Sequence, residues 1–175
     1  MGSGKTTIAE IAILTRLFAM DLGADIEAFG PFEPAPLVMY LVPSRALAAE
    51  VETKLVRVVR HFPIRVTALY GGTDFGPTDA AITVNERMIV IATYEKAEAL
   101  LRFIGPRLIQ RLTLCVIDEA HGVQFEEQPG VESFAENRAL RLEALIARLL
   151  ARVAPNQQRV IALSAVAGGI EKALA

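Results

Sequence analysis

Short runs of uninterrupted apolar residues, each ending in a small or polar cluster, alternate along this chain with longer stretches whose apolar residues recur every three or four positions. Residues 36–42 end in Pro43-Ser44, 88–92 in Thr93, 112–117 in Asp118-Glu119 and 159–163 in Ser164-Ala165, while 64–70 form another strand candidate before Gly71-Gly72. Runs that are apolar throughout, rather than alternating, mark strands covered on both faces, as in a parallel sheet. Helical spacing covers 6–22, 46–60, 96–104 and 135–153; in the last, Leu142, Leu145, Ile146, Leu149 and Leu150 lie opposite Arg141, Glu143, Arg148 and Arg152. This alternation predicts right-handed βαβ units and a three-layer, doubly wound α/β sandwich with a mainly parallel sheet. The strand-end clusters then share the carboxyl edge of the sheet, where such folds gather their chemistry. Residues 28–36 and 71–78 read as surface connections, and 124–133 as a polar excursion before the last helix.

Composition narrows the class. At 175 residues, 53% hydrophobic and 22% charged, with a mean hydropathy of +0.38, the chain has the size and make-up of one well-packed globular domain, residues 1–175. The apolar stretch 8–20 is interrupted by Glu10, Thr15 and Arg16, which excludes it as a membrane span, and no secretory leader is recognisable. A soluble, intracellular protein, cytoplasmic or nucleoid-associated, is expected. The formal charge of -2 supplies no global basic field, so contact with nucleic acid has to be local. Cys115, inside an apolar run, reads as a small buried hydrophobe.

The candidate chemistry begins at the N-terminus. Gly2-Ser3-Gly4-Lys5-Thr6-Thr7 followed at once by a helix is the second half of a phosphate-binding loop. Glycines let backbone N–H groups turn toward phosphate oxygens, the helix N-terminus adds its dipole, and Lys5 adds a point charge. The Thr6 hydroxyl suits Mg²⁺. Far along the chain, Leu114 to Ile117 delivers Asp118, Glu119 and His121 to a strand exit. Beside a phosphate loop, Asp118 would hold Mg²⁺ through water and Glu119 would orient and deprotonate the attacking water of a nucleoside-triphosphate-hydrolysing site.

Five segments then stand in a telling order: GSGKT at 2–6, VPSRALAAE at 42–50, TYEKA at 93–97, DEAH at 118–121 and Ser164-Ala165-Val166. Together they resemble motifs I, Ia, Ic, II and III of the first RecA-like lobe of superfamily 2 DExH/DEAH-box helicases. VPSRALAAE, TYEKAEAL and RLEALIARL are most similar to the branch of archaeal DNA-repair and spliceosomal helicases. The resemblance implies an ATP-binding lobe of a nucleic-acid-dependent ATPase, with ATP and Mg²⁺ as ligands and nucleic acid, DNA rather than RNA, as partner. It implies that Pro43, Ser44 and Arg45, with Thr93 and Lys96, grip one strand by its phosphates, and that Ser164, Ala165 and Val166 couple hydrolysis to strand movement. Residues 71–74 resemble the family's glycine-containing motif Ib.

The chain also departs from that pattern. The strand and adenine-reading segment that precede the phosphate loop in the family have no counterpart before Met1, which stands where a Thr is usual, and Val166 replaces a Thr. A lobe lacking its usual first strand, and a missing second lobe with its arginine fingers, imply weakened nucleotide binding and slow hydrolysis in isolation. A catalytically inactive nucleotide- or nucleic-acid-binding module is the alternative reading.

Overall fold

The computed structural model describes residues 4–18, 34–71, 74–120, 138–152 and 159–163. Within them the chain runs α1 (Gly4–Phe18), β1 (Leu37–Val42), α2 (Arg45–Val59), β2 (Arg65–Leu69), a 3-10 helix (Pro77–Thr83), β3 (Met88–Thr93), α3 (Tyr94–Arg111), β4 (Leu112–Ile117), α4 (Arg138–Arg152) and β5 (Arg159–Ala162). The strands form one five-stranded sheet in the order β2-β3-β1-β4-β5, and every pairing is parallel. This is the α/β sandwich expected from the continuous apolar runs.

The pleat sends alternate residues of each strand to opposite faces. Leu37, Met39 and Leu41 of β1 join Met88, Val90 and Ala92 of β3 in a core covered by Ala97, Leu100 and Leu108 of α3 and by Leu142, Leu145 and Leu149 of α4. Val38, Tyr40 and Val42 face the other way, with Ile89 and Ile91, under Ala9, Ile13 and Leu17 of α1 and Val51, Leu55 and Val59 of α2. Leu112 and Leu114 stand two apart yet face opposite cores, because the β1–β4 register shifts between Leu37 and Val38 and leaves Thr113 as an extra residue. Cys115 is buried on the α3 side, and burial pushes its thiol up to about 12.

Helix ends follow local chemistry. Ser44 caps α2, its Oγ accepting from Leu47 N at 3.3 Å, and Thr93 caps α3 through Oγ1 and Lys96 N. The expected end of α3 near Ile104 marks a real kink (φ -127°, ψ 19°), but helical backbone resumes through Pro106 to Arg111. Proline in a first turn removes only an N–H that has no intrahelical partner, so it starts the new segment without cost. Residues 77–83, of which only 77 and 78 fall in the expected 71–78 connection, form the 3-10 helix with Asp79 and Ile82 buried.

The amino edge of the sheet is stitched by side chains. The Arg111 guanidinium donates to the carbonyl oxygens of Ala35, Ile82, Val84 and Glu86, with Nε to Ala35 at 2.9 Å and Nη1 to Val84 at 2.7 Å. Asn85 Oδ1 accepts from Ala35 N at 2.7 Å. Among the described residues no helix is long and apolar enough to cross a membrane.

Candidate functional site

The carboxyl ends of β1, β3 and β4 lie side by side, since the register pairs Val42 with Thr93 and Leu41 with Ile117. Pro43-Ser44-Arg45, Thr93 and Asp118-Glu119 therefore leave the sheet along one edge, as the strand-end clusters predicted. Helix α1 runs the opposite way to the strands. Phe18, at its C-terminal end, meets Phe62 at 4.9 Å between ring centroids and lies under the Arg87 guanidinium, and both partners precede strands at the amino edge. The first turn of α1, with Gly4, Thr6 and Thr7, is thus at the carboxyl edge. Gly4 and Thr7 are exposed and Thr6 half-buried, no acidic residue stands in that turn, and a Cβ added at Gly4 would meet no atom within 4 Å. The backbone there leaves room for a close anionic ligand at a helix N-terminus. Gly2, Ser3 and the Lys5 side chain, like His121 and Ser164-Ala165-Val166, lie outside what is described.

Asp118 is held from several sides. Its N–H donates to Leu41 O at 2.8 Å, extending the ladder one residue past β4. Its Oδ2 accepts from the Tyr40 hydroxyl at 3.0 Å, its Oδ1 from Glu119 N at 2.9 Å, and its carbonyl oxygen from the Tyr94 hydroxyl at 2.7 Å. Burial, and then the negative charge of Asp118, push the Tyr40 hydroxyl far above the usual phenol range, so it remains a donor at neutral pH. An ionised carboxylate has about four acceptor positions. Two are used among the described residues, and carboxylate oxygens are the kind of donor that a hard cation prefers.

Glu119 has a φ of 53°, the only positive value at a non-glycine among the described residues. Left-handed backbone costs a residue with a Cβ roughly 1–2 kcal/mol. The bonds on either side hold it there: Asp118 N is tied to Leu41 O in β1, and Ala120 N to Leu163 O beyond β5, both at 2.8 Å. Backbone strain maintained by its surroundings is characteristic of functional turns.

The residues expected to grip phosphate divide. Ser44 and Arg45 are exposed at the start of α2 and Pro43 is half-buried beside them. Thr93 is buried and its hydroxyl serves the α3 cap. Lys96 corrects the sequence reading. Helix α3 begins at Tyr94 rather than Lys96, which turns this side chain under the 3-10 helix; it is 5% exposed, and Nζ donates to Asp79 Oδ2 at 2.6 Å and to Asp74 O at 2.8 Å. Its ammonium is committed to these two protein partners. Sequence reasoning also missed Tyr40, whose partner is 78 residues away, although a lone tyrosine inside an otherwise aliphatic strand was a signal.

The family model that matches this chain is described as DEAD/DEAH box helicase and spans residues 1–173. The chain is 34% identical over 164 residues to the Hachiman protein HamB of Bacillus cereus, covering 94% of this chain and 12% of that protein. It is 31% identical over 170 residues to the ATP-dependent DNA helicase Hel308 of Pyrococcus horikoshii, covering 97% and 19%. To the DExH-box ATP-dependent RNA helicase DExH13 of Arabidopsis thaliana it is 29% identical over 168 residues, covering 94% and 7%. The chain thus spans less than a fifth of the length of each of these relatives. The solved structure of the DEAD-box helicase Mss116 bound to ssRNA and UDP-BeF matches with a TM-score of 0.71 at 20% identity, over 98% of this chain and 32% of that one, which shows the shared fold. A likeness in sequence that runs the length of the described sheet, on a fold shared with a helicase lobe, places this chain in the DEAD/DEAH box helicase family as a RecA-like domain.

Proposed function

We propose that residues 1–175 are the ATP-binding lobe of a nucleic-acid-dependent ATPase whose hydrolysis drives movement along a strand, with DNA preferred over RNA. The observation that carries this reading is the Asp118-Glu119 turn, braced by Tyr40 and Tyr94 at the edge where α1 begins. Gly2 to Thr7 would cradle the phosphates, with Lys5 as the charge that follows them. Thr6 and Asp118 would hold Mg²⁺, which when bound neutralises charge on the phosphate oxygens. Glu119 would take the proton of the attacking water, and His121, two residues on, belongs to the same motif. The helix N-termini after Ser44 and Thr93, with Arg45, offer sequence-independent ligands for backbone phosphates. Ser164, Ala165 and Val166, next in sequence after Leu163, would by the resemblance carry a change at the nucleotide to the strand.

In the purified full-length protein, single-stranded DNA is expected to raise the ATP hydrolysis rate, and single-stranded RNA to raise it less. A rate that neither strand changes would overturn the reading, and stimulation by RNA alone would reverse the choice of partner. DNA receives support from the Hel308 relatives, which are DNA helicases.

Tyr40→Phe tests the bracing of Asp118. The ring keeps its packing and only the hydroxyl is lost, so the fold should survive with a cost of about 1.5–3 kcal/mol for a hydrogen bond to a charged group. Partners that orient a metal-binding carboxylate typically contribute 10- to 100-fold in metal affinity. The Mg²⁺ concentration giving half of the nucleotide-induced rise in melting temperature should therefore increase about tenfold. An unchanged Mg²⁺ midpoint would show that Tyr40 only fills space.

A further inference from the structure

Lys96 and Asp79 are charged groups buried outside the nucleotide site, 5% and 1% exposed, and the mechanism above makes no direct use of either. Burying two charges costs several kcal/mol per ion unless they are paired and hydrogen-bonded. Here the ammonium reaches both Asp79 Oδ2 and Asp74 O, and the same Oδ2 accepts from Gly76 N at 2.6 Å while Asp79 N donates to Gly76 O at 3.0 Å. A single side chain from the first turn of α3 thus ties Asp74 to Asp79, and Asp79 in turn holds Gly76, at the start of the connection from the 3-10 helix back toward β2. Phe75 adds an apolar tie, its ring 6.2 Å from that of Phe103 on α3.

The place of this tie gives it a consequence. β2 pairs with β3 through Leu69 and Ala92, so Tyr70 and Gly71 leave the sheet beside Thr93 and the N-terminus of α3. Tyr70 is 46% exposed, and Gly71 has a φ of 141°, a conformation that only glycine adopts readily. The exits of β2 and β3 adjoin on one surface with the exit of β1 beyond them, and the Lys96–Asp79 pair joins the first turn of α3, which follows the exit of β3, to the residues that come after the exit of β2.

We infer that Lys96 and Asp79 are a positioning pair that latches residues 74–83 to the first turn of α3 and so sets the geometry of a cradle, built from the exits of β1, β2 and β3, for the sugar-phosphate backbone of a single strand. This rests on the proposed nucleic-acid edge. Lys96 then serves strand binding through the protein's own backbone and not by touching phosphate.

Lys96→Met alone leaves Asp79 as an unpaired buried charge and can fail to fold, so the decisive variant is Lys96→Met with Asp79→Leu, which removes both charges, an exchange that often leaves stability unchanged. In the full-length protein, this double variant should melt close to the unaltered protein and bind Mg²⁺-nucleotide equally well. Amide hydrogen exchange in residues 74–83 should accelerate, with the β1 and β4 amides unchanged. Its Kd for a fluorescein-labelled single-stranded oligodeoxynucleotide should rise about tenfold, equivalent to about 1.4 kcal/mol. Exchange in 74–83 equal to the unaltered protein overturns the latch. Faster exchange with an unchanged Kd overturns its role in strand binding. If the unaltered protein binds no strand, the nucleic-acid edge itself is wrong and the cradle falls with it, while the exchange result still decides whether the pair is a latch.

Discussion

Glu119→Gln should lower nucleic-acid-stimulated ATP hydrolysis by about 10²- to 10⁴-fold, the range that a positioned general base contributes. Gln matches Glu in shape, and the features that hold this residue in place do not depend on its charge. Its N–H still donates to Asp118 Oδ1, now at 2.9 Å, and the flanking bonds to Leu41 O and Leu163 O still enforce the positive φ. What disappears is the proton acceptor. Nucleotide affinity should therefore remain near that of the unaltered protein while turnover collapses, a split that titration with a fluorescent ATP analogue and steady-state hydrolysis measured side by side will show. A turnover within a few-fold of the unaltered protein would remove Glu119 from the role of base. Equal losses in affinity and turnover would instead point to a disrupted turn.

Arg111→Met should be strongly destabilising, although it lies away from that edge. The guanidinium satisfies four backbone carbonyls, those of Ala35, Ile82, Val84 and Glu86, which come from the entry to β1 and from the connection before β3. Arginine alone presents donors in a fixed planar fork able to do this. Met fills similar volume but leaves the carbonyls to find other partners, and a buried polar group without one costs about 1–3 kcal/mol. Partial access to water at the sheet edge reduces the sum, so a loss of roughly 3–5 kcal/mol is expected. Against a typical total of about 5–15 kcal/mol that is a large share, and it corresponds to a fall in melting temperature of roughly 6–20 °C. Arg111→Lys, with one ammonium in place of the fork, should fall between. Urea denaturation of the three proteins measures this, and a loss below about 1 kcal/mol for Met would show the carbonyls to be satisfied without Arg111.

These two residues differ in how visible they were. Asp118-Glu119 stood out because a strand that is apolar on both faces ends abruptly in two carboxylates, a contrast contained in a few consecutive letters. Arg111 looked like any arginine at the end of a helix, where cations are common because they favour the C-terminal dipole. Its partners lie 25 to 76 residues away, and no local pattern announces them. Lys96 was misread for the same reason: a cation at a helix start beside a phosphate-binding motif suits a ligand as well as a latch, and only the packing of the 3-10 helix decides between them. The 3-10 helix itself was hidden by the Gly76-Pro77 pair, which reads as a turn but here begins a tight helical segment sealed by Asp79.

Composition and periodicity were enough to determine the layers, the parallel character of the sheet and the edge that carries the motifs, because those follow from which residues must leave water and from the pleat that alternates them. Motif order was enough to identify the family. Only the tertiary structure decided the strand order, the inward turn of Lys96, the four-carbonyl clamp of Arg111 and the hydroxyl of Tyr40 on Asp118. Each of these is a contact between residues distant in sequence, made through polar atoms whose partners are chosen by where the packed elements happen to place them.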